Sequence, residues 1–229
     1  MSLDPRIAAG TTRMLAARAA GVGAGAVHLG WKLGFGAPAA MEKFGTDRPL
    51  VGFLTRDRLL PSGATVDVSA WTKPVLEAEV AAHLGSDLGP GATPAEALAA
   101  VSGWSVAIEL ADVDVPPTDL EEILAGNIFH RHVLLGPVVA TLPDPPTFTV
   151  ERDGTVVAET TDPYALTGDL GSILASAATT LAVSGASLSA GDVVITGSVV
   201  PPIDVAAGTT WRVAADGLGA LETVMRPRQ

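Results

Sequence analysis

The stretch Lys73-Pro74-Val75-Leu76-Glu77-Ala78-Glu79-Val80-Ala81-Ala82-His83-Leu84 decides how the chain folds. Read at the two-residue period of a strand, Leu76, Ala78, Val80, Ala82 and Leu84 face one way, and Val75, Glu77, Glu79, Ala81 and His83 the other. Two carboxylates therefore share a face, roughly 6.6 Å apart along the backbone. At that spacing they converge on one hard cation, act as a base, or stand in water and repel each other. Water is the default, because antiparallel sheets commonly wet one face.

Outward from this strand, three segments bear on the same question. Residues 104–110 are apolar on both faces apart from Ser105 and Glu109, which predicts an interior strand carrying a carboxylate. An interior glutamate without a partner is costly or takes up a proton, so a cation, a metal or a hydrogen-bonding group is expected beside Glu109. Residues 27–35, Val-His-Leu-Gly-Trp-Lys-Leu-Gly-Phe, predict a largely buried strand with Lys32 among apolar neighbours. Lys32 is either a snorkelling stem with its ammonium in water, or a desolvated, carboxylate-paired group that holds or protonates an anionic substrate. Residues 192–197 predict a buried strand ending in a glycine turn, where the Thr196 hydroxyl and nearby amides meet a ligand.

Other segments supply the frame. Asp4-Pro5 predicts a helix start, with a helix to about residue 20, and a short helix is expected over 37–44, closed by Gly45. Strands are expected over 50–60 and 65–69 around Pro61-Ser62-Gly63. Thr93-Pro94-Ala95-Glu96 and Thr118-Asp119-Leu120-Glu121 have capping-box spacing. Residues 127–135 predict a strand that places His130 and His132 on one face; such a pair ligates metal or, beside Arg131, is a surface or hydrogen-bonded pair. Asp153-Gly154 and Asp216-Gly217 mark hairpins, and a helix capped by Asp169 or Thr167 is expected to about residue 184.

Composition narrows the function classes. A chain of 229 residues, 48% hydrophobic with mean hydropathy +0.38, buries a substantial core. With 14 basic against 25 acidic side chains, net −11, there is no basic stripe for nucleic acid or an anionic membrane surface. Without cysteine, a metal would be held by oxygen or imidazole, which points to Mg²⁺, Mn²⁺ or Ca²⁺. The N-terminus, Met1 to Arg6, opens no apolar leader, and no stretch is expected to span a bilayer, so a cytoplasmic protein is expected.

Several of these elements together resemble a family. The order Gly30-Trp31-Lys32-Leu33-Gly34, Lys73-Pro74 before Glu77-x-Glu79, a strand with Glu109, Asn127 nine residues before Gly136-Pro137, and Gly191-Asp192-Val-Val-Ile-Thr-Gly197 is similar to the fumarylacetoacetate hydrolase superfamily. The likeness runs from about Gly30 to Met225 and favours the branch of 2-keto-4-pentenoate hydratases and 4-oxalocrotonate decarboxylases. It implies an α+β, β-rich fold, a mixed β-sandwich roll with flanking helices, with a small N-terminal region over 1–45 and the catalytic domain over 46–229. It also implies a Mg²⁺ or Mn²⁺ site on Glu77, Glu79 and Glu109, with Lys32 and Glu79 catalytic. Lys32, Asn127, Thr196 and Gly197 would bind substrate, a small 2-oxo acid, and the assembly would be a homodimer or a higher homo-oligomer. The implied chemistry is a lyase reaction, hydration or decarboxylation, through a metal-stabilised enolate.

The departures are specific. Acylpyruvate hydrolases of this superfamily carry a His-x-x-Glu pair on a lid, whereas residues 37–45 here have Glu42 and no histidine. That favours the hydratase or decarboxylase branch. Gly126-Asn127 stands where that branch has Asp-Asn, and Ile128-Phe129-His130-Arg131-His132 follows where it has small residues. The alternatives are a C–C hydrolase using His130 or His132 as base, and a non-catalytic metal-binding relative.

Overall fold

The computed structural model describes residues 3–143 and 145–226. Met1, Ser2, Asp144 and residues 227–229, which include the outer ends of both expected regions, lie outside the described residues. Strands β5 (Pro74–Leu84) and β6 (Val101–Asp112) pair antiparallel at the centre of an eight-stranded mixed sheet. Beyond β5 come β10 (Val193–Ser198), β1 (His28–Gly34) and β2 (Leu50–Thr55); beyond β6 come β7 (His130–Leu135) and β3 (Leu59–Leu60). The short β11 (Ile203–Asp204) pairs with the start of β5. A second sheet runs in the order β4 (Ala64–Val66), β13 (Gly219–Met225), β12 (Thr210–Ala215), β8 (Phe148–Arg152) and β9 (Thr155–Thr160). The fold is strand-rich and mixed, as the sequence predicts. β1, from the 1–45 region, is hydrogen-bonded between β2 and β10, so that region shares the large sheet.

The two faces of β5 separate as its alternation dictates. Leu76, Ala78, Val80, Ala82 and Leu84 enter the main core with Phe148, Trp211 and Val213 of the second sheet and Leu174 and Leu181 of α6 (Leu170–Val183). The opposite face is not wet. Val75 joins an apolar cluster with Ile7 of α1 (Pro5–Gly23), Phe44 of α2 (Pro38–Phe44) and Leu124 of α4 (Leu120–Ala125). Ala81 joins another with Leu29, Leu54 and Ile195. Glu77 and Glu79 lie between these clusters along the strand, which is how two carboxylates on a sheet face come to be shielded from water.

Several local expectations are corrected. The run 50–60 is interrupted by a 3-10 turn over Arg56–Arg58. Asp119, not Thr118, caps α4, accepting from the amides of Glu121 and Glu122 at 2.9 and 3.4 Å. The Thr93 capping box forms as predicted at the head of α3 (Pro94–Ala99). Residues 127–129 do not enter the strand: Asn127, Ile128 and Phe129 have φ of 54°, 52° and 63° and form a left-handed turn. A register shift pairs Leu110 with His132 and Ala111 with His130, and the extra residue puts the two histidines on opposite faces. His132 stacks on Trp71 at 6.1 Å beside the main core, while His130 turns toward Glu109.

Residues Tyr164–Val183, comprising α5 (Tyr164–Thr167) and α6, are long and apolar enough to cross a bilayer, with hydropathy 1.3, contrary to the sequence expectation. More than half of that window, 56%, is buried inside the fold, and α6 packs on α3. Its apolarity is that of a core helix.

Candidate active site

Glu77 and Glu109 are direct cross-strand partners, and Glu79 stands opposite Ala107. One ligand oxygen from each of Glu77, Glu79 and Glu109 lies within 4.8 Å of the others. Glu79 and Glu109 have no solvent exposure, and Glu77 is half-buried at the edge of a cavity. A bulge in β10 between Ile195 and Ser198 turns the Gly197 amide onto Glu79 Oε2 at 2.7 Å. Gly197 has φ of 100°, a conformation that a side chain would strain.

Lys32 reaches the cluster from β1, three strand positions from β6. In a flat sheet that separation is roughly 14 Å, so the curl of the sheet is what brings the groups together. Its Nζ donates to Glu109 Oε1 at 2.5 Å and to the carbonyl oxygen of Ile128 at 3.1 Å. The second contact explains the left-handed turn, which aims the Ile128 carbonyl inward at a cost of about 1–2 kcal/mol per residue. Asn127 clasps the turn onto β2: its Oδ1 accepts from the Phe53 amide at 2.8 Å and its Nδ2 donates to the Phe53 carbonyl at 3.0 Å. Gly52 makes room for this clasp, since a Cβ there would lie 2.7 Å from Asn127 Oδ1 and 3.0 Å from Lys32 Cγ.

The fourth member is His130, whose Nδ1 lies 2.8 Å from Glu109 Oε1. The sequence marked this residue as half of a histidine pair and, equally with His132, as a candidate hydrolytic base; the bulge that singles it out leaves no signature in local composition.

Charge is unbalanced here. Burial opposes the ammonium of Lys32, but Glu109, Glu77 and Glu79 outweigh it and raise its pKa, so Lys32 is a cation and a donor. Burial likewise opposes ionisation of Glu109, but Lys32 and His130 hold its pKa below the ordinary value. Burial and the Glu109 charge push Glu77 up to about 7 and Glu79 well above its usual range. Burial also keeps His130 below its usual range, against the pull of Glu109. One ammonium thus faces three carboxylates. Glu79 Oε1 and Glu109 Oε2 are buried with no hydrogen-bond partner. Unpartnered buried carboxylate oxygens are expensive, and an all-oxygen donor set of this kind fits a hard divalent cation.

Above the cluster lies a cavity of about 270 Å³. Lys32, Glu77, Thr196 and Gly197 form its polar floor, and Phe35, Val113, Ile128, Phe129 and Leu166 are among its apolar walls. Thr196 Oγ1 donates to the Val80 carbonyl at 3.0 Å, leaving its lone pairs toward the cavity. Asn127 and His130 are not among the lining residues.

A family model for the fumarylacetoacetate hydrolase C-terminal domain matches residues 21–226. The chain belongs to that family. It is 31% identical over 200 residues to a 4-oxalocrotonate decarboxylase of Pseudomonas putida, covering 84% of this chain and 75% of the relative. It is 29% identical over 200 residues to a 2-keto-4-pentenoate hydratase of Burkholderia vietnamiensis, covering 84% of this chain and 76% of the relative. Among solved structures it resembles a 4-oxalocrotonate decarboxylase from Pseudomonas putida G7 complexed with magnesium and adipate, with TM-score 0.86 and 25% identity over 93% of this chain and 83% of that one.

Proposed function

We propose that the protein is a divalent-metal-dependent lyase, a hydratase or decarboxylase, acting on a small 2-oxo acid or its 2-hydroxydienoate tautomer. The observation that carries this reading is the pair of buried, unpartnered oxygens, Glu79 Oε1 and Glu109 Oε2, beside Glu77 and under a cavity floored by one ammonium. Glu77, Glu79 and Glu109 would hold Mg²⁺ or Mn²⁺, the ion type present in the magnesium complex of the Pseudomonas putida G7 decarboxylase. When bound, the ion supplies Lewis acidity to the C2 oxygen of a 2-oxo acid, which makes the adjacent C3 protons acidic.

The protein's own groups have separable tasks. Lys32 has three N–H protons, of which Glu109 and Ile128 take two, and the third is available to the substrate carboxylate or for delivery to carbon. Because the three carboxylates keep Lys32 charged, it serves as donor and acid rather than as resting base. Gly197 orients Glu79, and His130 and Lys32 orient Glu109 through the same oxygen, leaving Glu109 Oε2 free. The apolar walls keep water from the tail of the substrate. His130 is committed to Glu109 and lies off the cavity surface, which supports a positioning role over that of a hydrolytic base.

Proton NMR of 2-oxopentanoate in D₂O tests the reading. Exchange at C3 should be fast with Mg²⁺ and fall to background with chelator; no exchange by folded, metal-loaded protein would contradict it. A homo-oligomer is proposed as well, with Val156 and Val157 exposed on β9, the edge of the second sheet, as a surface it would cover.

A further inference from the structure

We infer, on the 2-oxo acid chemistry proposed above, that the cavity selects substrates with a single carboxylate and an uncharged, apolar tail and rejects the corresponding dicarboxylates. This takes the hydratase side of that reading, since a decarboxylase that leaves an enolate must expel a second carboxylate. The floor provides one anion-binding position, Lys32 beside the three glutamates. Away from it the walls are Phe35, Ala40, Val113, Ile128, Leu166 and Val200, none of which carries a side-chain donor.

The remaining hydroxyls lining the cavity are already committed as donors. Thr167 Oγ1 lies 3.2 Å from the Pro163 carbonyl and 3.3 Å from that of Gly168, and Ser198 Oγ donates to the Val200 carbonyl at 2.6 Å. Thr196 donates to Val80. A hydroxyl has one proton, so each of the three turns only lone pairs toward a ligand, which a carboxylate does not welcome. The start of α2 offers little, for Pro38 has no N–H and the Ala40 amide is bonded to the Ala37 carbonyl at 2.9 Å. Lys43, on the same helix, is exposed; its ammonium donates to the Pro117 carbonyl at 3.2 Å and lies 5.1 Å from the Phe44 ring centroid. It is not among the lining residues, and among the described residues Lys32 is the one cation that is. A second carboxylate would therefore meet no side-chain donor on the tail walls, whereas an alkyl or alkenyl tail gains from the same surface.

The test compares 2-oxohexanoate with 2-oxohexanedioate, which share a six-carbon chain and differ in the terminal carboxylate. C3 deuterium exchange by the Mg²⁺-loaded protein should show kcat/KM at least about 100-fold higher for the monoacid. Leu166→Lys, which places a cation on the tail wall, should shrink that ratio at least about tenfold, mainly through KM for the diacid. Comparable kcat/KM for the two acids in the native protein overturns the inference, whatever the variant does. If neither acid exchanges, the lyase reading fails, and calorimetric binding of the two acids to the Mg²⁺-loaded protein decides the inference separately. Tighter binding of the monoacid keeps it; equal or tighter binding of the diacid, or no binding of either, overturns it.

Discussion

Two polar clusters hang from neighbouring residues of β1, and they are built on opposite terms. Trp31 turns to one face, where its indole Nε1 donates to Asp192 Oδ2 at 3.0 Å. Asp192 also accepts from the Ser189 amide at 3.0 Å and meets His28 Nε2 at 3.1 Å, while Arg18 Nε donates to His28 Nδ1 at 3.3 Å. Arg18 lies 5.0 Å over the Trp31 ring, and every polar side-chain group named in this cluster has a partner. Lys32 turns to the other face and meets three carboxylates, of which two keep unpartnered buried oxygens. A satisfied cluster rigidifies a fold; one left with excess like charge and orphaned acceptors is completed by something that binds.

Substitutions should separate the two clusters. The largest effect is expected for Glu79→Gln: metal binding is lost by calorimetry and C3 exchange falls by at least about 10³-fold. The metal-free variant should be more stable than the native chain by about 1 kcal/mol in urea melts, because glutamine needs neither a buried charge nor the uptake of a proton there, and the new amide oxygen still accepts from Gly197. Asp192→Ala should do the reverse. It strands the buried Trp31 N–H and the Ser189 amide, so stability should drop by about 2–4 kcal/mol while Mg²⁺ affinity stays unchanged.

The pH dependence sharpens the contrast. In the metal-free fold Glu77 titrates at about 7 and Glu79 well above its usual range. Both titrate near ~4.3 when unfolded. The folded state therefore holds protons that the unfolded chain has lost, and this contribution to stability fades as pH rises from about 4.5 toward 7. Asp192 runs the other way. Burial would raise its pKa, but His28 and the Ser189 amide outweigh it, so its contribution is present above the unfolded value and is lost as pH falls through its lowered pKa. Added Mg²⁺ should raise Tm more at pH 8 than at pH 5.5, since binding requires the ionised carboxylates. The smallest effect is expected for Gly52→Ala, which presses on the Asn127 clasp and the Lys32 stem: about 1–2 kcal/mol in stability, with kcat reduced about tenfold.

The large features were legible because they rest on periodicity. The alternation in 74–84 sorted its residues onto the correct faces, and the interior setting of Glu109 announced a partner before any partner was known. The shielding of Glu77 and Glu79 was not legible, because the clusters that flank them draw on Ile7, Phe44, Leu124 and Leu54, residues distant in sequence. Nor was the separation of His130 from His132, which depends on one extra residue between β6 and β7. The left-handed turn at 127–129 runs against local propensity altogether. Non-glycine residues adopt it where tertiary contacts over-determine the backbone, here the Phe53 clasp and the Lys32 ammonium.

The most direct measurement is a Mn²⁺ titration followed by electron paramagnetic resonance on three proteins: native, Glu79→Gln and Asp192→Asn. One tight site per chain in the native protein, lost in Glu79→Gln and retained in Asp192→Asn, is the predicted outcome. Equal Mn²⁺ binding by native protein and Glu79→Gln, or no site in the native protein, would contradict the assignment of the unsatisfied cluster as the metal centre.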